Sequence, residues 1–201
     1  MPLARVNGVT LHTQVLGDGP PLAMLHGLLV ASLASWYFTA APVLSRSHRL
    51  LLYDLRGHGK SERALRGYDL ATLAADLEGL LERFHAGPLS LVGHSYGALV
   101  ALWFALDRPE RVRRLALVEA PLPPSRLAEM RTFQGRTPEQ MADVLPAAMR
   151  RTLARNGRQA ARLLASLRFL TSESSLPADM AAELDLPDTS LAALACPVLC
   201  V

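Results

Sequence analysis

The sequence predicts an α/β fold built on a mostly parallel, doubly wound sheet with a helical cap inserted into it. Three observations carry that expectation. Short apolar runs of strand length alternate with segments of helical period. The runs are continuous rather than alternating, which suits strands buried on both faces. Between Pro121 and Pro187, helical patterns follow one another with no strand signal between them. At 201 residues, 50% of them apolar, the chain can bury one well-formed domain.

The elements follow in order. In ARVNGVTLHTQVLG the Asn7-Gly8 pair separates two apolar alternations and predicts a hairpin. PLAMLHG, HRLLLYD, PLSLVG, VRRLALVEA and CPVLCV each predict a strand of the parallel sheet. YDLATLAADLEGLLERF places Leu70, Leu73, Leu77, Leu80, Leu81 and Phe84 at helical spacing, with Asp69 as the N-cap. ALVALWFALDRPE predicts a helix ending before Pro109. The strand VRRLALVEA then breaks at PLPP, and TPEQ (137–140) has the form of a capping box with proline at the first helical position. Asn156-Gly157 breaks the next helix, so Arg151 and Arg155 belong to one helix and Arg158 and Arg162 to another. The expected division is a core over residues 1–120, a helical cap over 121–187 and a return to the core over 188–201. A helical insertion on a parallel sheet commonly covers its ligand end.

Charge and composition narrow the function classes. The net charge is +3, and Lys60 is the only lysine. Between Arg111 and Arg168 twelve arginines face four acidic residues, with few aromatics among them. Nucleic-acid faces usually add aromatic or glycine-rich features, so these arginines are expected to cover helix flanks with their stems. Attraction of anionic substrates is the alternative use of the excess charge. No apolar run reaches the length of a membrane-spanning helix, and the N-terminus lacks the pattern of a secretory signal. Cys196 and Cys200 are the only cysteines. Four residues apart on a strand they face one way but lie too far apart to bridge, and no metal-ligand spacing accompanies them. Buried, reduced thiols in a cytoplasmic protein are expected, with no nucleic acid, membrane, metal or cofactor as partner. The oligomeric state is not legible.

The chemistry centres on Ser95. Gly93-His94-Ser95-Tyr96-Gly97 follows a strand and opens a helix, the setting in which a G-x-S-x-G turn presents its serine as a nucleophile. Gly93 and Gly97 let the two backbones approach. A serine hydroxyl needs a neighbouring base, and adjacent His94 is expected to project elsewhere and bond locally. The turn His26-Gly27-Leu28 ends an earlier strand, so the amides of Leu28 and Tyr96 are the expected oxyanion donors, with His26 holding the loop. In DLRGHGKS (54–61), Asp54 and Arg56 either brace the loops or satisfy buried backbone groups, the latter being the preferred reading for His58.

HG after one strand, DLRGHGKS after the next, GHSYG at the turn, then DRPERVRRLALVEAP and ACPVLCV resemble the α/β-hydrolase superfamily in order, from about Val6 to Val201. The resemblance implies a serine hydrolase acting on a small carboxylic ester, thioester, lactone or amide through an acyl-enzyme, with residues 121–187 as its cap. The superfamily orders its triad serine, acid, histidine. Here His12, His26, His48, His58, His85 and His94 all precede Ser95. Glu119 stands after the strand where haloalkane dehalogenases carry their acid, and is the candidate acid; its alternative is bonding to loop amides.

The expectation is therefore the larger N-terminal part of a hydrolase whose last strand, last helix and catalytic histidine lie outside these residues, with little activity alone. CPVLCV would then be an uncovered apolar edge prone to pairing or aggregation. A binding module without turnover is the rival class. Lyase or peroxidase chemistry on the same serine turn is a third.

Overall fold

The computed structural model describes residues 2–85, 87–121, 157–182 and 186–201, together with 140, 150 and 151. β1 (Leu3–Val6) and β2 (Val9–Leu16) form the expected hairpin, with Val6 paired to Val9. Both turn residues have positive φ, 46° at Asn7 and 75° at Gly8, as a two-residue hairpin turn requires. β2 runs antiparallel to β4 (Arg49–Tyr53). From there the sheet is parallel: β4 pairs with β3 (Pro21–Leu25), β3 with β5 (Leu89–His94), β5 with β6 (Val112–Val118) and β6 with β7 (Val198–Cys200). The resulting order among the described residues is β1-β2-β4-β3-β5-β6-β7.

Period two along the central strands explains why both faces are covered. Leu22, Met24, Leu50 and Leu52 point to one face, where they pack with Leu33, Ala41, Trp36 and Leu44 around the short helices α1 (Ala34–Tyr37) and α2 (Ala41–Leu44). Ala23, Leu25, Leu51 and Tyr53 point to the other, against α3 (Leu70–Arg83) and α4 (Tyr96–Asp107). In α3 the apolar stripe is buried at Leu70, Leu73, Leu77, Leu80 and Leu81.

Asp69 caps α3 as its spacing predicts. It accepts from the Thr72 amide at 2.8 Å and from the Thr72 hydroxyl at 2.6 Å. Asp69→Ala is expected to lower stability by about 1 kcal/mol, read as an earlier urea midpoint with unchanged slope.

The described part of 121–187 contains helices and turns and no strand. α5 (Arg158–Arg168) begins after Gly157, runs into a π-helical turn at Phe169–Glu173, and is followed by α6 (Leu176–Ala182). Phe169, Leu170 and Leu176 pack on Tyr68, with Leu28, Leu29 and Met180 beside them. The Arg63 guanidinium lies 5.4 Å from the Phe169 ring centre. Two bonds fix α6: Tyr68 N–H to Asp179 Oδ2 and Ser175 N–H to Leu65 carbonyl, each 2.8 Å. This helical segment therefore rests on the loop after β4 and on the loop after β3. The TPEQ segment, apart from helical Gln140, and Asn156 lie outside the described residues. Last come α7 (Asp188–Leu191) and β7.

One expectation needs correction. CPVLCV forms the expected strand and the expected uncovered apolar edge, but burial on both faces and two buried thiols do not hold. β7 is the outer strand of the sheet among the described residues; Val198, Leu199 and Cys200 are exposed, and Cys196 is only partly buried. Continuous apolarity marks a strand, but position in the sheet decides how much of it is covered.

Candidate active site

Ser95 sits at the junction of β5 and α4 with φ 53° and ψ −122°. That conformation is strained for a residue with a side chain, and the neighbours make it unavoidable. The Ser95 amide donates to the Val118 carbonyl at 2.9 Å, and the Ala98 amide donates to the Ser95 carbonyl at 2.9 Å. A Cβ on Gly93 would stand 2.3 Å from the Gly97 carbonyl oxygen and 2.4 Å from the Ala98 Cα. One on Gly97 would stand 2.4 Å from the His26 carbonyl oxygen. The two glycines thus let strand, helix and the neighbouring HG loop meet at backbone distance.

Gly27 brings the HG loop against the serine. A Cβ there would lie 3.2 Å from the Ser95 Cβ and 3.2 Å from His94 Nδ1. Leu28 follows directly, and Tyr96 opens α4, so the sequence-predicted residues Ser95, Gly27, Leu28 and Tyr96 come together at the C-terminal ends of neighbouring strands β3 and β5.

Two buried histidines fasten the HG loop to the loop after β4. His26 Nε2 accepts the Leu55 amide at 2.9 Å, and His58 Nε2 accepts the Leu29 amide at 3.0 Å. Each loop therefore lends a ring to the other's backbone. Because Nε2 receives an N–H in both, the proton sits on Nδ1, which donates to Gly27 carbonyl from His26 (2.7 Å) and to Arg56 carbonyl from His58 (2.8 Å). The rings lie 5.3 Å apart. Burial lowers the pKa of both. His58 falls to about 3, by burial first and by nearby His26 second; for His26 burial outweighs the bond to Gly27 carbonyl. Both rings are neutral at pH 7 and neither is a base for Ser95. Leu29, held by His58, has φ 69°, a further strained position in this loop.

The remaining motif residues brace the same loops. Asp54 accepts from Leu33 N–H (2.7 Å), Lys60 N–H (2.9 Å) and His12 Nδ1 (2.8 Å). Arg56 grips Asp76 through Nε (2.8 Å) and an outer nitrogen (2.6 Å), and donates to Arg66 carbonyl at 3.0 Å. Burial raises the Asp76 pKa against the opposing pull of Arg56. Both readings of Asp54 and Arg56 hold together: the bracing is done by satisfying buried backbone groups.

The spacing of motifs did not foretell the partner of His94. Its Nε2 lies 2.9 Å from Glu119 Oε2, and its ring stands edge-on to Trp36 at 6.4 Å. The pair spans two adjacent parallel strands whose ends are in register, His94 opposite Val118; that pairing was the available signal. Glu119 is exposed and has φ 47°. The structure thus brings Glu119 to His94 and not to the serine hydroxyl. No group of three or more His, Cys, Asp or Glu side chains able to share a metal ion occurs among the described residues, and no helix among them is long and apolar enough to cross a membrane.

Comparison with known proteins fits this arrangement. A family model described as alpha/beta hydrolase fold matches residues 20–190. A soluble epoxide hydrolase of Corynebacterium sp. (strain C12) is 34% identical over 118 residues, 58% of this chain and 40% of that protein. A putative carbamate hydrolase, RutD, of Variovorax paradoxus (strain S110) is 41% identical over 113 residues, 55% of this chain and 42% of that protein. The match thus spans about two fifths of these relatives' length. Among solved structures, a hydrolase from Pseudomonas aeruginosa PA01 superposes with TM-score 0.74 at 28% identity, over 98% of this chain and 78% of that one. An enol-lactonase from Burkholderia xenovorans LB400 superposes with TM-score 0.69 at 25% identity, over 99% and 80%.

Proposed function

The chain belongs to the alpha/beta hydrolase fold family, and from that premise we propose that Ser95 is the nucleophile of a hydrolase acting on a small carboxylic ester, thioester, lactone or amide. The observation that carries the reading is the strained Ser95 backbone, held at a strand–helix junction with Gly27 packed against it. Ser95 Oγ attacks the acyl carbon while its proton passes to a base. The amides of Leu28 and Tyr96 hold the oxyanion, and water then releases the acid from the acyl-enzyme. His26 and His58 act as positioning residues that keep the Leu28–Leu29 turn in place. The base is a histidine other than His26 and His58, whose rings are fully committed to backbone groups. Glu119 or a further carboxylate orients that histidine.

The chemistry of serine favours an acyl substrate over an epoxide, the substrate that the first relative's name implies. Attack on an acyl carbon gives an ester, which water cleaves. Attack on an epoxide carbon would leave an alkyl ether, which water does not release. A second reading, a binding module without turnover, is favoured by one observation: His94 is bonded to Glu119 and not to Ser95.

A fluorophosphonate probe separates the two, because labelling requires an activated serine. Expressed from its own gene, the protein should gain one probe mass on Ser95, and Ser95→Ala none. A folded protein that stays unlabelled would establish the binding module instead. Removing any one member of a serine triad leaves only oxyanion stabilisation and binding, so turnover by Ser95→Ala should fall by about 10⁴-fold or more.

A further inference from the structure

Tyr68 joins parts of the molecule that lie far apart in the chain. Its N–H donates to Asp179 Oδ2 on α6 at 2.8 Å, and its carbonyl accepts the buried Tyr96 hydroxyl at 3.1 Å. Tyr96 opens α4 and follows Ser95 directly. The main chain of one residue therefore stands between α6 and the turn that presents the serine. Its ring leaves that main chain little room to move. The ring is fully buried, and its hydroxyl donates to the Ala64 carbonyl at 2.6 Å. Even a Cβ on Gly57 would stand 2.3 Å from that hydroxyl oxygen and 2.9 Å from Leu170 Cδ2.

Asp179 is itself held. Its Oδ2 also accepts the Ser175 hydroxyl at 2.5 Å, and the Ser175 amide is tied to the Leu65 carbonyl. A second contact runs beside this one: Leu28 and Leu29 pack against the apolar cluster of Tyr68, Phe169, Leu170 and Leu176. Leu28 and Tyr96, the residues whose amides are assigned to the oxyanion, thus both lean on Tyr68 and on the helical segment that carries Asp179.

On the reading of Ser95 as nucleophile, on which this rests, we propose that Asp179 is a positioning residue for that reaction. Through the main chain of Tyr68 it fixes the Tyr96 side chain, and with it the amide that meets the oxyanion. Without the carboxylate, the Tyr68 N–H is released, its carbonyl shifts, and the Tyr96 hydroxyl follows. Hydrogen bonds weaken steeply with poor geometry, and the oxyanion exists only in the transition state. The chemical step therefore suffers and binding does not.

The test is the kinetics of fluorophosphonate labelling of the protein expressed from its own gene, at a temperature where circular dichroism shows each variant folded. Asp179→Ala and Tyr96→Phe should each lower the maximal labelling rate about tenfold, while the probe concentration giving half that rate stays within about twofold. Acting on one path, they should together cost about tenfold, where independent effects would multiply to about a hundredfold. Both bonds to Asp179 end on the same oxygen. The amide oxygen of asparagine can replace it, so Asp179→Asn should label within about twofold of the parent. A merely structural Asp179 would lower the melting temperature and leave the labelling rate of the folded protein unchanged. That result, multiplied effects in the double variant, or no rescue by asparagine would each overturn the proposal. Tyr96→Phe removes a single oxygen, so its unchanged rate would overturn the proposal even if Asp179→Ala did not fold. A parent that fails to label is a separate result: it overturns the reading of Ser95, and the role of Asp179 with it.

Discussion

Gly93→Ala is expected to destabilise the fold by roughly 3 kcal/mol or more, measured as a collapse of the urea midpoint, although it adds a single methyl group. The reason lies in what the methyl meets. Its nearest neighbours would be the Gly97 carbonyl oxygen at 2.3 Å, the Ala98 Cα at 2.4 Å and the Ala98 nitrogen at 2.6 Å, all of them backbone. A side chain can rotate away, but the first turn of α4 can retreat only by pulling its packed face off the sheet. Ala98, Leu99, Val100 and Leu102 are fully buried there. Retreat would also move Ser95, so probe labelling should disappear even in whatever fraction stays folded. Gly87→Ala is the control: no atom lies within 4 Å of its Cβ among the described residues, and the expected change is within about 0.5 kcal/mol. Equal stability of the two variants would mean that the junction of β5 and α4 is not as tight as the geometry states.

The same crowding explains how much could be read from the sequence. Gly93 and Gly97 were legible because a serine between glycines at the end of an apolar run has few other physical uses. The hairpin at Asn7-Gly8, the cap at Asp69 and the alternation of strands and helices were legible because each is set by residues adjacent in the chain. The clasp of His26 and His58 was not. It joins groups 29 residues apart, and which ring nitrogen carries the proton follows only from the amides of Leu55 and Leu29 brought to them. His94 with Glu119, 25 residues apart, was hidden for the same reason. The exposure of Cys200 was not legible, because an apolar run reports strand character, while burial depends on what lies alongside.

The clasp makes stability fall as acid is added. Unfolded, each histidine binds a proton near its ordinary value of 6.5, whereas the folded chain keeps His58 neutral down to about 3 and His26 shifts the same way. Between those limits the unfolded state holds the extra protons, so lowering the pH draws the equilibrium toward unfolding. The contribution of the neutral rings is complete above pH 6.5 and is lost as pH falls toward 3. One such proton weakens the fold by about 1.4 kcal/mol per pH unit, on the order of 5 kcal/mol across the His58 window. Protonation also turns Nε2 from acceptor to donor against the Leu29 amide, so the Leu28–Leu29 turn should loosen before the sheet does. His58→Gln separates this from the general acid sensitivity of carboxylates. The variant should be less stable at pH 7 yet lose stability less steeply between pH 6 and 4. Parallel stability curves for parent and variant would show that the clasp does not govern the acid limb.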